Sequence, residues 1–505
     1  MGVNPTVMQR FLRVISKPGA KPEIQGSAPT QHVEGEDNNP AGFTSATKAK
    51  VLDRWLDRVV VISGSKAVFG IIFIGLVTWA FLGIPYSDLD IWQVLISDIQ
   101  AIISYLFDSL LVRQQLNQYD DEMLVAVQLK SRLSSHNRMM TKLSQELNKE
   151  ELVALAAESE TSQHRHTADF QTELPSENRF GRFVTAFSHV IGHLISVSIY
   201  WITVLVWIGM GPMNDWSNRW QLDMNSASSA AMVFIFSFLA NIHERHSAYT
   251  KTCLNSIFIV DSALERKLRS LTGDQVDNSV VVIPAPKMNP VQRAIFYYAD
   301  FVGTLIGIAI LVCVIVAWIA IGPALQFNAN WWLIIGTYAG LVGMNDGFVL
   351  RNMQARLDEY AEVEFATIDK EDEALFHQMR LTTPPRETIN ESTLTYRVSD
   401  IMGRISAHEI TVLIGLFIIF GLVAGSSALH WSETGQLLSN VPPSLIETFF
   451  MLILITGHNY ADERKRANLR NLYERRLRLF SFVSCVELHA QGPAGLEKSA
   501  VAVAL

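Results

Sequence analysis

The sequence predicts an all-α polytopic membrane protein. Eight transmembrane helices form four repeated two-helix hairpins, with amphipathic helix extensions in the cytosol. Three observations carry this. Eight apolar stretches are each long enough to cross a bilayer, which takes about 20 apolar residues per helix. They come in pairs joined by short links. The first member of each pair opens on a glycine, Gly64, Gly192, Gly303 or Gly403, and a tryptophan follows the first three of these glycines at one fixed distance, as Trp79, Trp207 and Trp318. Ile418 stands at that place in the fourth pair. A repeated hairpin of this kind builds a shared central pathway in many transporters.

Composition supports the membrane assignment. Hydrophobic residues make up 49% of the 505 residues, charged residues only 18%, and mean hydropathy is +0.20. Soluble domains carry about 25% charged residues. The net charge of −8 and the lack of a basic patch interleaved with aromatics exclude nucleic acid as a partner. The three cysteines, Cys253, Cys313 and Cys485, have no metal-finger or disulfide spacing. No cleavable leader is visible, and residues 1–60 read as a disordered cytoplasmic tail rich in polar residues.

The spans are placed near 64–84 and 92–113, 187–210 and 225–243, 297–322 and 330–350, and 402–427 and 442–460. The corresponding repeats cover 61–182, 183–290, 291–395 and 396–485, with a C-terminal tail from 486 to 505. Within each pair the link is short, and the four links hold a single Lys or Arg, Arg219. Basic segments stay on the cytoplasmic side because moving them across is costly. Both termini are therefore expected inside and the links outside. Polar stretches after the hairpins, such as Gln114–Glu158 and Ala467–Val483, keep helical spacing of their leucines and read as cytosolic continuations of the second helices. The pairs Gly336/Gly340 and Gly343/Gly347 have the small-residue spacing of close helix contacts.

Ionisable groups at membrane depth are costly and usually face a partner or a wet cavity. Here Asp98 and Glu447 are expected toward the outer face, and Asp108, His193, Asp346, His408, Glu409 and His458 toward the inner face. Around the repeated glycine stand His189, Asp300 and Asp400 three residues before, and His193, Thr304 and Arg404 one residue after. Equivalent positions of four repeats would surround one axis. Oxygen and imidazole ligands suit Fe(II), Mn(II) and Zn(II), whereas Cu(I) prefers sulfur. A permeation site holds its ion loosely, which favours scattered carboxylates over a closed cage. The same residues have plainer readings. His189 and His193 could hydrogen-bond at a helix start. Asp108 and Asp346 could answer Arg113 and Arg351, each five residues on. Asp300 and Asp400 could complement a helix dipole. Asp88, Asp90, Asp215, Asp223 and Glu433 on the links could attract cations or be ordinary solvated charges.

Ser97-Asp98-Ile99-Gln100, followed by Phe107-Asp108-Ser109-Leu110-Leu111-Val112-Arg113-Gln114-Gln115, resembles the low-affinity iron permeases of fungi. So do the paired helices and the polar helices after them, over roughly 50–480. The resemblance implies low-affinity Fe(II) uptake across the plasma membrane, with tolerance of copper and zinc. It marks Asp98, Gln100, Asp108, Arg113 and Gln114 as the family-like positions. The third repeat keeps Asp346 and Arg351 but has Gly336 in place of Asp98. No Gly-x-x-x-x-Gly-Lys-Ser/Thr loop, haem pattern or flavin fingerprint occurs, so neither an ATP-driven pump nor a reductase is indicated, no enzyme activity is expected, and no cofactor. The expected partners are the lipid bilayer and divalent metal ions, with room for a homo-oligomer. The other reading is a membrane scaffold or sensor whose cytosolic helices bind proteins and whose buried polar groups serve assembly.

Overall fold

The computed structural model describes residues 21–32, 42–43, 51–87, 89–168, 170–389 and 391–491. Asp88, Asn390 of the sequon Asn390-Glu391-Ser392, and most of the two expected tails lie outside these residues. Within the stretch expected to be an N-terminal tail, two described pieces are ordered into the fold. Strand β1 (Ile24–Gly26) pairs antiparallel with β2 (Val281–Ile283), and helix α1 covers Val51–Ser63.

A single three-part unit occurs four times. A 13-residue amphipathic helix leads to a break, then an apolar helix, a link and a long helix. In unit one these are α1, α2 (Lys66–Tyr86) and α3 (Asp90–Glu146). Short helices α4 (Lys149–Thr161) and α5 (Gln163–His166) follow. Unit two comprises α6 (Arg179–Ile191), α7 (Leu194–Gly209) and α8 (Asn218–Thr272). Unit three comprises α9 (Pro290–Val302), α10 (Leu305–Ile321) and α11 (Ala329–Gln378). Unit four comprises α12 (Leu394–Ser406), α13 (Glu409–Ala428), the one-turn piece α14 (Glu433–Leu438) and α15 (Val441–Ala490). Among the described residues six helices are long and apolar enough to cross a membrane, α14 with α15 counting as one of them. The pairs α6/α7 and α9/α10 pass the same test only together, bent by 49° and 65° at their breaks.

The fourth unit corrects the sequence register. The equivalent of Gly64, Gly192 and Gly303 is Ala407, not Gly403. Two consecutive left-handed residues mark the links of units two to four: Asp215/Trp216, Gln326/Phe327 and His430/Trp431. Each pair begins 23 residues after Gly192, Gly303 and Ala407 respectively. Ser217, Asn328 and Ser432 then cap the helices that follow. The last membrane helix therefore starts near Glu433, earlier than the expected 442.

The breaks require close approach. A Cβ on Gly64 would lie 2.7 Å from the Ala240 carbonyl, and one on Gly303 2.9 Å from Val112. Each break rests on the long helix of another unit. Asn241 Nδ2 donates to the Gly64 carbonyl (2.8 Å), Thr456 Oγ1 to Gly192 (2.7 Å) and Asn352 Nδ2 to Ala407 (2.6 Å), while Gly303 sits against Arg113. This closes a ring in the order one, two, four, three, and the long helices pack along the same four seams.

At the link end, the repeated tryptophans each stack on a second one. Trp79/Trp92 and Trp318/Trp331 lie 4.4 Å apart and Trp207/Trp220 3.9 Å apart, all nearly parallel. Indole N–H groups donate to the partner's carbonyl: Trp79 and Trp92 reciprocally, Trp318 and Trp331 likewise. In unit four the equivalent positions are Leu422 and Gly435, and the joint is made instead by Ser439, whose Oγ donates to the Leu422 carbonyl (3.3 Å).

The apolar helices stand outside the ring. Ile71, Ile74 and Phe81 of α2 are exposed, as are Ile195, Ile199 and Ile202 of α7 and Phe417 and Phe420 of α13. A continuous belt of this kind has no aqueous explanation and is what lipid covers. Beyond the belt the long helices continue as a polar-surfaced bundle clamped by four charges. Arg132 meets Asp261 (3.2 Å), Asp261 meets Arg476 (2.8 Å) and Arg476 meets Asp372 (2.9 Å). Their signs alternate around the ring, and none is more than 1% exposed.

Candidate functional site

The axis of the ring can be followed level by level. At the link end Asn225 Nδ2 donates to Ser97 Oγ (2.8 Å), and a Cβ on Gly336 would meet both Asn440 (2.7 Å) and Ser97 (3.3 Å). These four residues therefore form one level. Further along, Gln115, His243, Gln354 and His458 line a common cavity of about 140 Å³. The His243 and His458 rings stack at 3.9 Å, and His246 Nδ1 lies 2.9 Å from His458 Nε2. In every helix 18 residues separate the two levels, so the intervening positions also correspond.

Those positions fall four and three residues apart alternately, the spacing of an inward seam. They read Ala101/Ser229/Gly340/Ser444, then Ser104/Met232/Gly343/Glu447, then Asp108/Phe236/Gly347/Met451, then Leu111/Leu239/Leu350/Leu454. Unit three contributes glycine at four successive levels: Gly336, Gly340, Gly343 and Gly347. Their lack of side chains leaves the room that the other units fill with polar groups. The Glu447 carboxyl occupies the space where Gly343 would carry a Cβ, 2.5 Å from that point.

Asp108, Asp346 and Glu447 converge here. Asp108 and Glu447 are 0% exposed and Asp346 1%. Both oxygens of Asp108 and of Glu447, and one of Asp346, have no hydrogen-bond partner. The three carboxylates act electrostatically on one another. Tyr298 donates to the remaining oxygen of Asp346 at 2.5 Å. Buried carboxylates without donors are among the most expensive groups a fold can hold, and a cation is the natural compensation. Among the described residues no three His, Cys, Asp or Glu side chains stand close enough to enclose one metal ion. The trio thus offers a negative, oxygen-rich stretch and not a closed cage.

The structure redistributes the expected site residues. Glu447 joins Asp108 and Asp346 because the last membrane helix begins earlier than its apolar run suggests. Asp98 is separate: 5% exposed, both oxygens unpartnered, and nearer the link end. His458 reaches the axis, where His243 and His246 of α8 join it. His193, His408 and Glu409 do not reach it. His193 and His408 are exposed N-caps whose Nδ1 atoms accept from the amides of Ile195 and Ile410 (3.2 Å each). Ser65 and Thr304 cap the equivalent helices. Glu409 accepts from Asn289 (2.7 Å) and pairs with Arg356 (3.6 Å). Arg113 pairs with Asp57 and Asp53 of α1, not with Asp108. Asp300 pairs with Lys21, and Asp400 with Arg404.

Comparison with known proteins now bears on this geometry. The model of the family described as "Low affinity iron permease" matches residues 180–279 and 395–492, two stretches that coincide with units two and four. The chain is 33% identical over 541 aligned residues to the "Low-affinity Fe(2+) transport protein" of Saccharomyces cerevisiae, covering 94% of this chain and 98% of that protein. It is 36% identical over 432 residues to the "Low-affinity iron/zinc ion transport protein" of Schizosaccharomyces pombe, covering 85% and 73% respectively. No solved structure matches. The chain is a multi-pass membrane protein, and it belongs to the low-affinity iron permease family.

Proposed function

We propose that this chain is a low-affinity permease that carries Fe(II), and with less preference Zn(II) and other divalent metals, through the axis of its own four-unit ring. The observation that carries the reading is the trio Asp108, Asp346 and Glu447: three buried carboxylates, short of donors and within electrostatic reach of one another in the apolar part of the bundle. Oxygen donors suit a divalent cation of borderline hardness, and an open set of carboxylates binds it weakly enough to let it leave. The Fe(II) and iron/zinc named for the two relatives agree with that chemistry.

In this reading each unit crosses the bilayer twice, giving eight spans in four hairpins. The links, with Arg219 as their one Lys or Arg, face outward, and the basic extensions and both termini lie in the cytosol of a cell with this protein in its plasma membrane. A negative-inside potential assists entry by about 2.3 kcal/mol per charge per 100 mV. The ion passes Asp98, the amide level of Asn225 and Asn440, the carboxylate trio, the leucine level and then the imidazoles. The ring is complete in one chain, so the route needs no second copy, and it needs no catalytic step. Uptake of radiolabelled Fe(II) by liposomes holding the purified protein tests the reading. Flux above that of empty liposomes that falls at least fivefold in Glu447→Gln is expected. No flux of any divalent ion would leave the scaffold reading standing instead.

A further inference from the structure

We propose that the cation leaves the bundle sideways, through the seam between units three and four, and not along the bundle axis. This rests on the reading that the axis above is the ion's route.

The axial way out is closed. Below the cavity that holds the imidazoles, the alternating ring of Arg132, Asp261, Arg476 and Asp372 fills the centre of the bundle. Its charges are paired with one another and buried, so the ring obstructs a dication and offers it no free ligand. Beyond it the centre is packed apolar, with Leu264, Leu268, Phe376, Phe482 and Val483 at 0% exposure.

The lateral way is open. The axial cavity shares Asp358, Glu362, Ala461 and Arg464 with a second cavity of about 490 Å³. That cavity lies between α11, α12 and α15 with Gly192, Leu194 and Val197 of unit two on one wall, and its rim includes the largely exposed Arg404 (72%), so it reaches the surface. The seam between α11 and α15 is the most sparsely packed of the four. Four carboxylates, Asp358, Glu359, Glu362 and Asp400, line this cavity together with Arg351, Arg356, Arg404 and Arg464, and three of them pair with arginine: Glu359 with Arg356 (2.8 Å), Asp400 with Arg404 (2.9 Å) and Glu362 with Arg464 (2.5 Å). Where these partly exposed pairs part, their carboxylates give a departing dication replacement oxygen ligands. Arg464 bridges the seam to Glu362 at 2.5 Å, and both side chains are partly exposed (38% and 51%). An exposed pair of this kind is weak, and it can part to let an ion through.

The fourfold repetition sharpens the argument. The positions equivalent to Asp358 are Tyr119, Ser247 and Asp462, and those equivalent to Glu362 are Met123, Lys251 and Arg466. The α11 seam has carboxylates at both of these places, and the second cavity lies beyond them.

The test uses the full-length protein in liposomes, with Cys313→Ser removing the exposed native thiol. Ala355→Cys and Ser399→Cys each place a thiol in the lateral cavity. Ala248→Cys places one on the exposed face of α8, away from both cavities. A bulky cationic thiol reagent applied from the extension side should cut Fe(II) flux at least fivefold in the first two and leave the third unchanged. A methyl-sized adduct at the same cysteines should leave flux within twofold. Complete bulky modification with undiminished flux overturns the lateral exit while the unlabelled flux still upholds the permease reading. Equal loss with both reagents also overturns it, because distortion and not blockage would then be the cause. Absence of flux in every unlabelled protein sinks the permease reading, and the exit with it.

Discussion

At the residue scale the difference between a capping histidine and a pathway carboxylate decides what each mutation does. His193 and His408 use Nδ1 to close the first turn of an apolar helix. Losing such a cap costs about 1 kcal/mol of local stability. His193→Ala should therefore leave Fe(II) flux within about twofold of wild type, and His193→Ser should restore the melting temperature lost in the alanine variant. A tenfold loss of flux in His193→Ala with normal folding would return that histidine to the pathway. Asp108, Asp346 and Glu447 act as one group, so their effects should not add. Asp108→Asn and Glu447→Gln are each expected to lower flux about tenfold, and the double variant scarcely further. Full additivity in the same assay would mean three independent contacts. Gly343 belongs with them. A methyl group there would occupy the place of the Glu447 carboxyl, so Gly343→Ala should mimic Glu447→Gln in flux.

At the element scale the long helices do two jobs, and their extension segments can be tested apart from transport. His136, in the extension of α3 well beyond the apolar segment, is 0% exposed, and burial pushes its pKa down to about 3. In the unfolded chain it titrates near 6.5. The unfolded state therefore binds more protons between these values, and stability rises with pH across that window. Acidifying from pH 7 toward pH 4 should lower the protection factors of the amides in residues 125–140, each taken against the intrinsic exchange rate at that pH, and His136→Leu should remove most of that acid sensitivity. Protection that stays flat with pH in the wild type would contradict the burial. The stacked indoles form the other joint of the unit. Trp331 is 4% exposed and exchanges two N–H donations with Trp318. Trp331→Ala should destabilise by about 3 kcal/mol or more, read as a lower midpoint of thermal aggregation in detergent. Trp331→Phe, which keeps the stack, should lose about half as much.

For the whole molecule, the alternating ring of Arg132, Asp261, Arg476 and Asp372 ties all four units together at one level. Removing one member strands the opposite charge in a dry interior. Asp372→Ala should cost about 3–5 kcal/mol, whereas Asp372→Leu combined with Arg476→Met should recover much of that loss. Thermal melts of single and double variants would show the pattern, and a double variant less stable than either single would refute it. The ring order of units one, two, four and three also sets which pairs of units share a seam. The proposed exit uses the seam between three and four, where α11 places Asp358 and Glu362.

Much of this was legible in residues alone. Long apolar runs declare membrane helices because only hydrocarbon rewards so much exposed apolar surface, and the fixed Gly-to-Trp spacing declared the repeat in three units. Asp98, Asp108, Asp346 and Glu447 stood out because a lone carboxylate in such a run is costly. The register of unit four was hidden. Gly403 imitates the break glycine four residues early, and Ala407 suffices there because that seat has room for a methyl group. The 13-residue amphipathic helices are not legible as separate elements in the span assignment, which puts Val51–Ser63 largely in the tail and only the ends of the other three in the spans, although Phe180, Phe183, Phe187 and Val190 carry their period. Which polar groups meet was decided only by tertiary structure. Helical period places side chains on a face, but the rotation and offset of one helix against another set which faces share an axis. That is why Glu447 moved in beside Asp108, and why His193 and His408 stayed at the rim.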